Sequence, residues 1–468
     1  YRWLEDDDSK ETKAWVDAQN EVTFDYLAQI PFRDKIRERM EKLWNYPRFS
    51  APFQEGNHYF FYKNDGLQNQ AVLYRMNGLE GEPAVFLDPN GFSDDGTASL
   101  TTFEVSHDGK YAAYGVSKGG SDWNEYFVKN VETGEMLEDH LKWIKFSGAA
   151  WYGEGFFYGR FAEPTDGSAL SGQNEHKKIY YHKIGDAQSS DNLVYEEPEH
   201  PRRGIYASTT RDERFLLIYL TEGATNDNAL KVRDLRAKGE RYVEIATDFA
   251  NSYWVIDNLD DHLLVLTNDG APRKRVVSID VNKPDRKHWK EVIPEREEVL
   301  DGVSYVGGKL YARYLKDASS MIAIHAVDGK PMGTLELPGI GTVSGISGKK
   351  DQKMAFYTFT SFTYPSSTFQ LDTETGKSTL FRKSGVDFDP EAFVTKQVFY
   401  KSKDGTRVSM FVVHKKGLKL DGNNPCLLYG YGGFNINILP AFSVNNLVLL
   451  ENGGIYAVAN LRGGGEYG

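Results

Sequence analysis

A strand-like segment recurs along the middle of this 468-residue chain, and this repetition restricts the fold more than any other feature. From about Tyr46 the spacing of apolar residues changes from a period of 3.6 to a period of two, which indicates β-strands. Successive segments start roughly 50 residues apart, the length of a four-stranded propeller blade. The segments begin at His58, Asp108, Trp151, Asp212, Asp261, Gly307 and Gln352.

Each segment is followed by a second strand that often ends in turn residues, as in "KIYYHKIGD" and "FQLDTETGK". Seven such units predict a seven-bladed β-propeller, because radial repetition leaves only short and protected sheet edges. Two stacked β-sandwiches are the alternative, although they would not explain a single repeated unit. Histidines in or beside these strands (His107, His182, His262 and His325) are expected to be exposed or locally bonded.

Helical patterns precede the repeat. We expect Asp8 to be the N-cap of a first helix, with Glu11 at its third position as in a capping box. A second helix, "FRDKIRERMEKLW", would place Ile36, Met40 and Leu43 on one face. These helices form the N-terminal helical part of the chain, residues 1–45.

Short apolar strands that end in glycine follow the repeat after about Asp387, in "NPCLLYGYGG" and "GGIYAVANLRGGG". Such strands are typical of an α/β sheet that is buried on both faces. We therefore predict a propeller over residues 46–387 and the first strands of a second, α/β domain over residues 388–468. The propeller would be inserted between the helical part and this second domain.

Composition argues against several classes of site. The formal charge of −12 disfavours nucleic acid, whose phosphates would be repelled. The single cysteine, Cys426, allows neither an internal disulfide nor a cysteine-based zinc site, and its apolar strand predicts a buried side chain. No clustered His, Asp or Glu suggests a metal, and no apolar run approaches the roughly 20 residues that span a bilayer. We expect no metal, cofactor, nucleic-acid or membrane partner.

The stretch "NPCLLYGYGGFN" (424–435) sets tyrosines into a glycine-rich loop directly after a strand. In α/β-hydrolases a glycine-rich loop after the third strand completes the oxyanion hole, since a Cβ there would collide with the substrate. A tyrosine hydroxyl in such a loop can donate a hydrogen bond to a developing oxyanion. Alone, the motif is a weak signal, because tyrosine and glycine alternate in many ordinary turns.

The chain resembles the prolyl oligopeptidases, serine peptidases whose α/β-hydrolase domain is capped by a seven-bladed propeller. The segments that carry the resemblance run from end to end: "YRWLEDDDS", "GLQNQAVLY", "VFLDPN", "GSDW", "KFS", "SKDGT", "LYGYGGFN" and "NLRGGGEYG". Several are long and non-repetitive, so coincidence does not explain them.

The resemblance implies roles for three residues. Tyr431 would be the side-chain donor to the oxyanion, Phe434 would help to form the proline pocket, and Phe146 would reach the substrate from the propeller. The substrates would be short peptides, cut on the carboxyl side of proline without a cofactor. We expect a monomer in the cytoplasm or periplasm, with the rest of the hydrolase domain packed on this chain.

The family's nucleophile segment, "GGSNGG", has no counterpart in these residues. We therefore expect the serine, aspartate and histidine of the triad to lie outside this chain, which would be a fragment that is inactive alone. Two alternatives stay open: a relative that cleaves after basic residues, and a non-catalytic propeller module that binds peptides or a protein partner.

Overall fold

The computed structural model describes residues 1–6, 9–164, 172–223 and 225–468, and it contains the seven blades that the repeat predicts. In the first three blades neighbouring strands pair antiparallel, and in blade 1 the first two strands both pair with the third. Blade 1 comprises β1 (Arg48–Phe49), β2 (Phe53–Glu55), β3 (His58–Asn64), β4 (Val72–Asn77) and β5 (Ala84–Leu87). Blade 2 comprises β6 (Ser99–Val105), β7 (Tyr111–Ser117), β8 (Asn124–Asn130) and β9 (Met136–Ile144). Blade 3 comprises β10 (Ala150–Tyr152), β11 (Gly155–Arg160), β12 (Lys178–Lys183) and β13 (Asn192–Tyr195).

The remaining blades are four-stranded sheets of the same kind. Blade 4 comprises β14 (Gly204–Thr209), β15 (Phe215–Thr221), β16 (Ala229–Asp234) and β17 (Val243–Ala246). Blade 5 comprises β18 (Tyr253–Leu259), β19 (His262–Thr267), β20 (Arg275–Asp280) and β21 (Lys290–Ile293). Blade 6 comprises β22 (Val299–Val306), β23 (Lys309–Lys316), β24 (Ser319–Ala326) and β25 (Pro331–Leu335). Blade 7 comprises β26 (Thr342–Val343), β27 (Met354–Ser361), β28 (Tyr364–Asp372) and β29 (Ser378–Arg382).

The apolar core of the propeller lies between neighbouring blades. Leu217 of blade 4 and Leu263 of blade 5 belong to one buried cluster, and Tyr311 of blade 6 and Phe359 of blade 7 belong to another. Because each sheet has two apolar faces, it must be covered on both sides, and a ring of blades provides this cover.

Side chains rather than a shared strand join the first and last blades among the described residues. Lys349 Nζ of blade 7 lies 2.5 Å from Glu55 Oε2 of blade 1. The Arg382 guanidinium lies 4.1 Å from the centre of the Phe49 ring. These contacts close the ring of blades.

Two faces of the propeller differ in the chain segments that form them. The face that we call the connector face holds the connections between blades and the turns between second and third strands, for example Phe146, Asn268 and Lys274. The opposite face, the turn face, holds the turns between first and second strands, for example His107 and Asp260. The antiparallel strand order separates the two groups by one strand length.

Beyond the propeller, a mixed sheet has the order β30-β31-β33-β32. It comprises β30 (Phe393–Lys401), β31 (Arg407–Lys415), β32 (Cys426–Gly430) and β33 (Ile455–Ala459), with helix α3 (Val444–Glu451) between the last two strands. Strands β32 and β33 are parallel. The α/β pattern predicted after the propeller is therefore confirmed, and the exact domain boundaries stay a prediction.

Helices α1 (Lys10–Ala28) and α2 (Arg33–Trp44) precede the propeller in the chain. Asp8 lies outside the described residues, and Ser9 is the N-cap of α1, where its Oγ accepts a hydrogen bond from Thr12 N at 3.1 Å. The predicted apolar face of α2 is confirmed, since Ile36, Met40 and Leu43 pack into the cluster that contains α3 and β31. A helix from the beginning of the chain thus packs on the sheet that is formed by the last part of the chain.

The prediction that β32 is buried was wrong. Cys426 is exposed, and Leu427 and Leu428 are 51% and 64% exposed. The physical reason is that α3 and the apolar cluster around it pack on β31 and β33 and not on β32, which lies at the edge of the sheet. By contrast, Ala457, Val458 and Ala459 of β33 are buried as predicted.

An ion pair joins α2 to α3, which are separated along the chain by the whole propeller. Arg39 donates from Nε and Nη2 to the two carboxylate oxygens of Glu451 at 2.9 and 2.6 Å, and both side chains are about a quarter exposed. We expect Arg39→Met to lower the free energy of unfolding by roughly 1–2 kcal/mol, because a two-point contact of this kind is stronger than an exposed pair. Urea titration would measure it. Arg37→Met is the matched control, since among the described residues Arg37 pairs with Asp34 of its own helix and its side chain is 66% exposed. Equal losses in the two variants would contradict the assignment.

Candidate functional site

Two glycine-rich loops leave the sheet side by side. One follows β32 at Gly430, and the other follows β33 at Ala459, where these two residues are paired in parallel register. Because parallel strands bring their carboxyl ends to the same edge, the loops meet there, which is the usual position of a site in an α/β sheet. Asn435 N donates to Gly463 O at 3.0 Å across the junction.

Buried polar groups hold the two loops together. Glu466 is 2% exposed, and its Oε1 accepts hydrogen bonds from Ile438 N at 2.7 Å and from Asn460 Nδ2 at 3.3 Å. Nearby, Arg462 pairs with Asp404 at 2.5 Å. Hydrogen bonding by Thr406, followed by Arg462, lowers the pKa of Asp404 to about 2, so this pair is charged at neutral pH.

Tyr431 lies in the first loop with its ring folded over Gly433. A Cβ on Gly433 would lie 3.1 Å from the Tyr431 hydroxyl, so the missing side chain leaves room for the phenol. The Tyr431 side chain is 36% exposed, and none of the described residues accepts a hydrogen bond from its hydroxyl. The hydroxyl is therefore available to donate to another group.

Phe434 projects from the same loop towards the propeller. Its backbone has φ 54° and that of Asn435 has φ 57°, both in the left-handed region that residues other than glycine seldom adopt. The Phe434 side chain is 76% exposed. Such a conformation in a loop fixed by hydrogen bonds is typical of a functional site.

A cavity of about 620 Å³ separates this loop from the connector face. Its volume lies within the range of roughly 300–1,000 Å³ that is common for small-ligand sites. Phe434, Asn435 and Asn437 line it from the loop. From blades 4 to 6 its lining includes Asp227, Trp254, Asn268, Lys274 and Asp301.

Phe146 lies on the connector face, in the connection between β9 and β10. Its side chain is 56% exposed, and its backbone has φ 52°. Lys145 Nζ lies 5.6 Å from the centre of the Phe146 ring. Phe146 and the tyrosine loop thus face the same side of the propeller, although no hydrogen bond or ring contact within the described part of the chain joins them.

Of the three residues predicted from the sequence, only Phe434 lines the cavity. The sequence did not single out the propeller residues that line it, such as Trp254 and Lys274. They come from separate blades, so no local motif contains them. These residues share a position within their blades: they lie at the starts of first strands or in the turns between second and third strands. That position is the signal by which the sequence could have identified them.

A second cavity, of about 340 Å³, opens at the turn face and is lined by His107, Arg211, Asp257, Lys349 and Lys350. It lies on the face of the propeller opposite to the one that the tyrosine loop approaches. Its charged groups are paired with one another or with Glu55, as in Lys350 with Asp257 at 3.2 Å. This cavity belongs to the inner channel of the propeller.

The sequence contains a match to the serine elbow pattern Gly-x-Ser-x-Gly, in "GVSKG" (115–119). Ser117 is the last residue of β7, is 4% exposed, and donates its hydroxyl hydrogen to Ser121 O. A strand end in blade 2 is not the strand-to-helix turn that exposes a nucleophile. Ser117 is therefore a structural residue.

The part of the chain that the structure describes contains no helix long and apolar enough to cross a membrane. Within those residues no group of three or more His, Cys, Asp or Glu side chains could hold a metal ion.

Comparison with known families matches residues 1–384 to the model described as prolyl oligopeptidase, N-terminal beta-propeller domain. Among curated relatives, the prolyl endopeptidase of Elizabethkingia miricola is 46% identical over 469 residues, which are 100% of this chain and 66% of that protein. Prolyl oligopeptidase ophP of Omphalotus olearius is 34% identical, with 99% of this chain and 66% of that protein covered. The chain thus spans slightly less than two thirds of the length of these relatives.

Comparison with solved structures gives the same result as comparison with the sequences. One, from a structural and mechanistic analysis of two prolyl endopeptidases, superposes with a TM-score of 0.94 at 39% identity, covering 100% of this chain and 69% of that one. Prolyl oligopeptidase B from Galerina marginata, solved with a 35mer hydrolysis and macrocyclization substrate, has a TM-score of 0.94 at 31% identity over the same shares of the two chains.

Proposed function

Because the chain belongs to the prolyl oligopeptidase family of serine peptidases, we propose that the whole protein hydrolyses short peptides on the carboxyl side of proline. The observation that supports this most directly is the unbonded Tyr431 hydroxyl, held by a glycine-rich loop beside a cavity that faces the propeller. The nucleophilic serine, its histidine and its aspartate would come from residues outside this chain.

Tyr431 would act on the charge that develops at the scissile peptide. Attack by a serine on the carbonyl carbon places negative charge on the carbonyl oxygen, and the phenol can donate a hydrogen bond to it. Gly433 leaves room for the ring over the loop, so the donor can occupy this place before substrate arrives. The same hydrogen bond would stabilise the second tetrahedral intermediate, when water releases the acyl-enzyme.

Phe434 would contact the proline ring. It is an exposed aromatic side chain on a fixed backbone, at the wall of the cavity. When an apolar ring binds there, its surface is removed from water and no hydrogen bond of the protein has to be broken. Phe146 would contact the peptide from the propeller, and the propeller would admit only short, flexible peptides.

The exposed edge of β32 supports packing of further hydrolase structure on this chain. Leu427, Leu428 and Tyr429 are all about half exposed or more. An apolar parallel strand of this kind is usually covered on both faces by helices. We therefore propose a monomer in which the rest of the hydrolase domain covers β32, in the cytoplasm or periplasm.

The closest alternative activity, cleavage after basic residues, would require acidic groups in the specificity pocket. Replacing Phe434 with alanine separates the two. We expect Phe434→Ala in the whole protein to lower kcat/KM for a proline chromogenic peptide by roughly 10- to 100-fold, because an apolar contact of the pocket is lost. Hydrolysis of an arginine peptide should be negligible before and after the change.

Phe32→Ala is the matched control, since Phe32 is also exposed but precedes helix α2. Faster cleavage of the arginine peptide than of the proline peptide by the unmodified protein would overturn the proline assignment. A fluorophosphonate serine probe tests catalysis itself. Absence of labelling on the whole protein would favour the non-catalytic propeller module.

A further inference from the structure

We propose that Lys177 is a positioning residue, which fixes Phe146 for substrate by donating a hydrogen bond to its backbone carbonyl. This role rests on the proposed function, because it matters for catalysis only if Phe146 contacts the peptide. Lys177 lies directly before β12, in the turn that follows β11, so it comes from the blade next to the one that Phe146 leaves.

The contact between the two residues is short and buried. Lys177 Nζ lies 2.5 Å from Phe146 O, and Lys177 is only 3% exposed although it is a lysine. The described residues place no carboxylate within ion-pair distance of this ammonium group. Tyr206 contributes its ring face, whose centre lies 4.2 Å from Nζ. The carbonyl oxygen of Phe146 is therefore the hydrogen-bond acceptor that compensates for the burial of the Lys177 amino group.

The fold makes room for this lysine at one position. Gly159 of β11 lies beside the lysine stem, and a Cβ on Gly159 would lie 2.7 Å from Lys177 Cε. The backbone N–H of Gly159 donates a hydrogen bond at 2.8 Å to Oγ of Ser147, the residue that follows Phe146. Gly159 thus admits the lysine on one side and holds the Phe146 turn on the other.

The turn that carries Phe146 is fixed on every other side as well. Ile144 pairs with Arg160 in the bridge that joins blades 2 and 3. The Tyr126 hydroxyl donates to Ser147 O. With neighbours fixed in this way, the Lys177 hydrogen bond fixes the peptide plane of Phe146 itself, whose φ of 52° is otherwise unfavourable. The backbone from which the exposed ring projects is thereby oriented by a buried donor.

The hydrogen bond does not depend on the charge of the lysine. Burial lowers the pKa of Lys177 to about 7. The ammonium and the amine both carry N–H groups, so either form can donate to Phe146 O. What the position requires is a long, flexible donor in an apolar pocket, which a lysine provides and a methionine of similar length does not.

The test uses the whole protein with a proline chromogenic peptide. We expect Lys177→Met to raise KM about three- to tenfold with kcat changed less than about twofold, because an unfixed side chain must be ordered when substrate binds. In a Phe146→Ala background, Lys177→Met should have no further effect on KM, since the ring through which it acts is gone. Stability in urea should change little, because the loss of one buried hydrogen bond opposes the gain from removing a buried polar group.

Lys178→Met is the matched control, since Lys178 is the adjacent residue but pairs with Glu196 at the surface. Lys177→Gln, which keeps a shorter donor, should recover part of the lost affinity. An unchanged KM in Lys177→Met, or equal effects of Lys177→Met with and without the Phe146 ring, would overturn the positioning role. If Phe146→Ala itself leaves KM unchanged, the assignment of Phe146 fails instead; if the unmodified protein does not cleave the peptide, the proposed activity fails.

A second measurement is independent of activity. With 4-fluorophenylalanine at position 146, the fluorine signal should be a single narrow line in the unmodified protein and should shift or broaden in Lys177→Met. Identical fluorine spectra of the two proteins would also overturn the proposal.

Discussion

Replacing Tyr431 with phenylalanine should lower kcat of the whole protein by about 10²–10³-fold for a proline peptide, the usual loss when one oxyanion donor is removed. KM should change little, because the hydrogen bond forms with the tetrahedral intermediate rather than with the planar peptide. The change removes a single hydroxyl that has no acceptor among the described residues. The fold should therefore be unaffected.

Tyr429→Phe is the matched control for this experiment. Tyr429 lies two residues earlier, is 46% exposed, and would lose the same hydroxyl. Steady-state kinetics should show a near-normal kcat for Tyr429→Phe and a large loss for Tyr431→Phe. Equal kcat values for the two variants would reject Tyr431 as the donor.

The second large effect is on stability, at a buried histidine between blades 2 and 3. His182 Nε2 lies 2.9 Å from Asp139 Oδ1 and its Nδ1 lies 2.8 Å from Asp191 Oδ1, and all three side chains are almost fully buried. His182→Gln should lower the free energy of unfolding by roughly 3–5 kcal/mol, because two buried carboxylates lose their shared cation. Urea titration at pH 6.5 would measure this.

His140→Gln is the control for His182. His140 is also a strand histidine paired with a carboxylate, that of Glu125 at 2.8 Å, but its side chain is 39% exposed. An exposed pair contributes about 1 kcal/mol or less. A loss in His182→Gln no larger than that in His140→Gln would show that the buried cluster is not a major source of stability.

The same cluster predicts a pH dependence. Burial lowers the pKa of His182, but hydrogen bonds and charge from Asp139 and Asp191 outweigh it and raise the pKa from 6.5 to about 9. The folded protein therefore binds this proton more tightly than the unfolded chain does. The stabilisation, roughly 3 kcal/mol, is complete below pH 6.5 and is lost as the pH rises through about 9. Urea titrations across pH 6 to 10 should show this decline in the unmodified protein and a flatter profile in His182→Gln.

His182 also shows where sequence reasoning failed. The sequence placed it in a strand and predicted an exposed or locally bonded histidine. Its position in a strand was right and its bond to Asp191 lies within its own blade, but its burial and its bond to Asp139 of the neighbouring blade were not predicted. Asp139 comes from blade 2 and Asp191 follows β12 of blade 3, so the three residues meet only when blades pack. The spacing of these residues along the chain does not indicate that they are in contact.

The sequence alone determined the repeat, the blade number, the apolar face of α2 and the glycine-rich loop of Tyr431 and Phe434. All of these depend on local periodicity or on neighbouring residues, which are properties of a short segment. The tertiary structure alone decided which side chains surround the cavity, that β32 is an exposed edge, and that Lys177 reaches Phe146. These depend on contacts between residues from different blades or strands, and such contacts are set by packing of the whole chain rather than by any one segment.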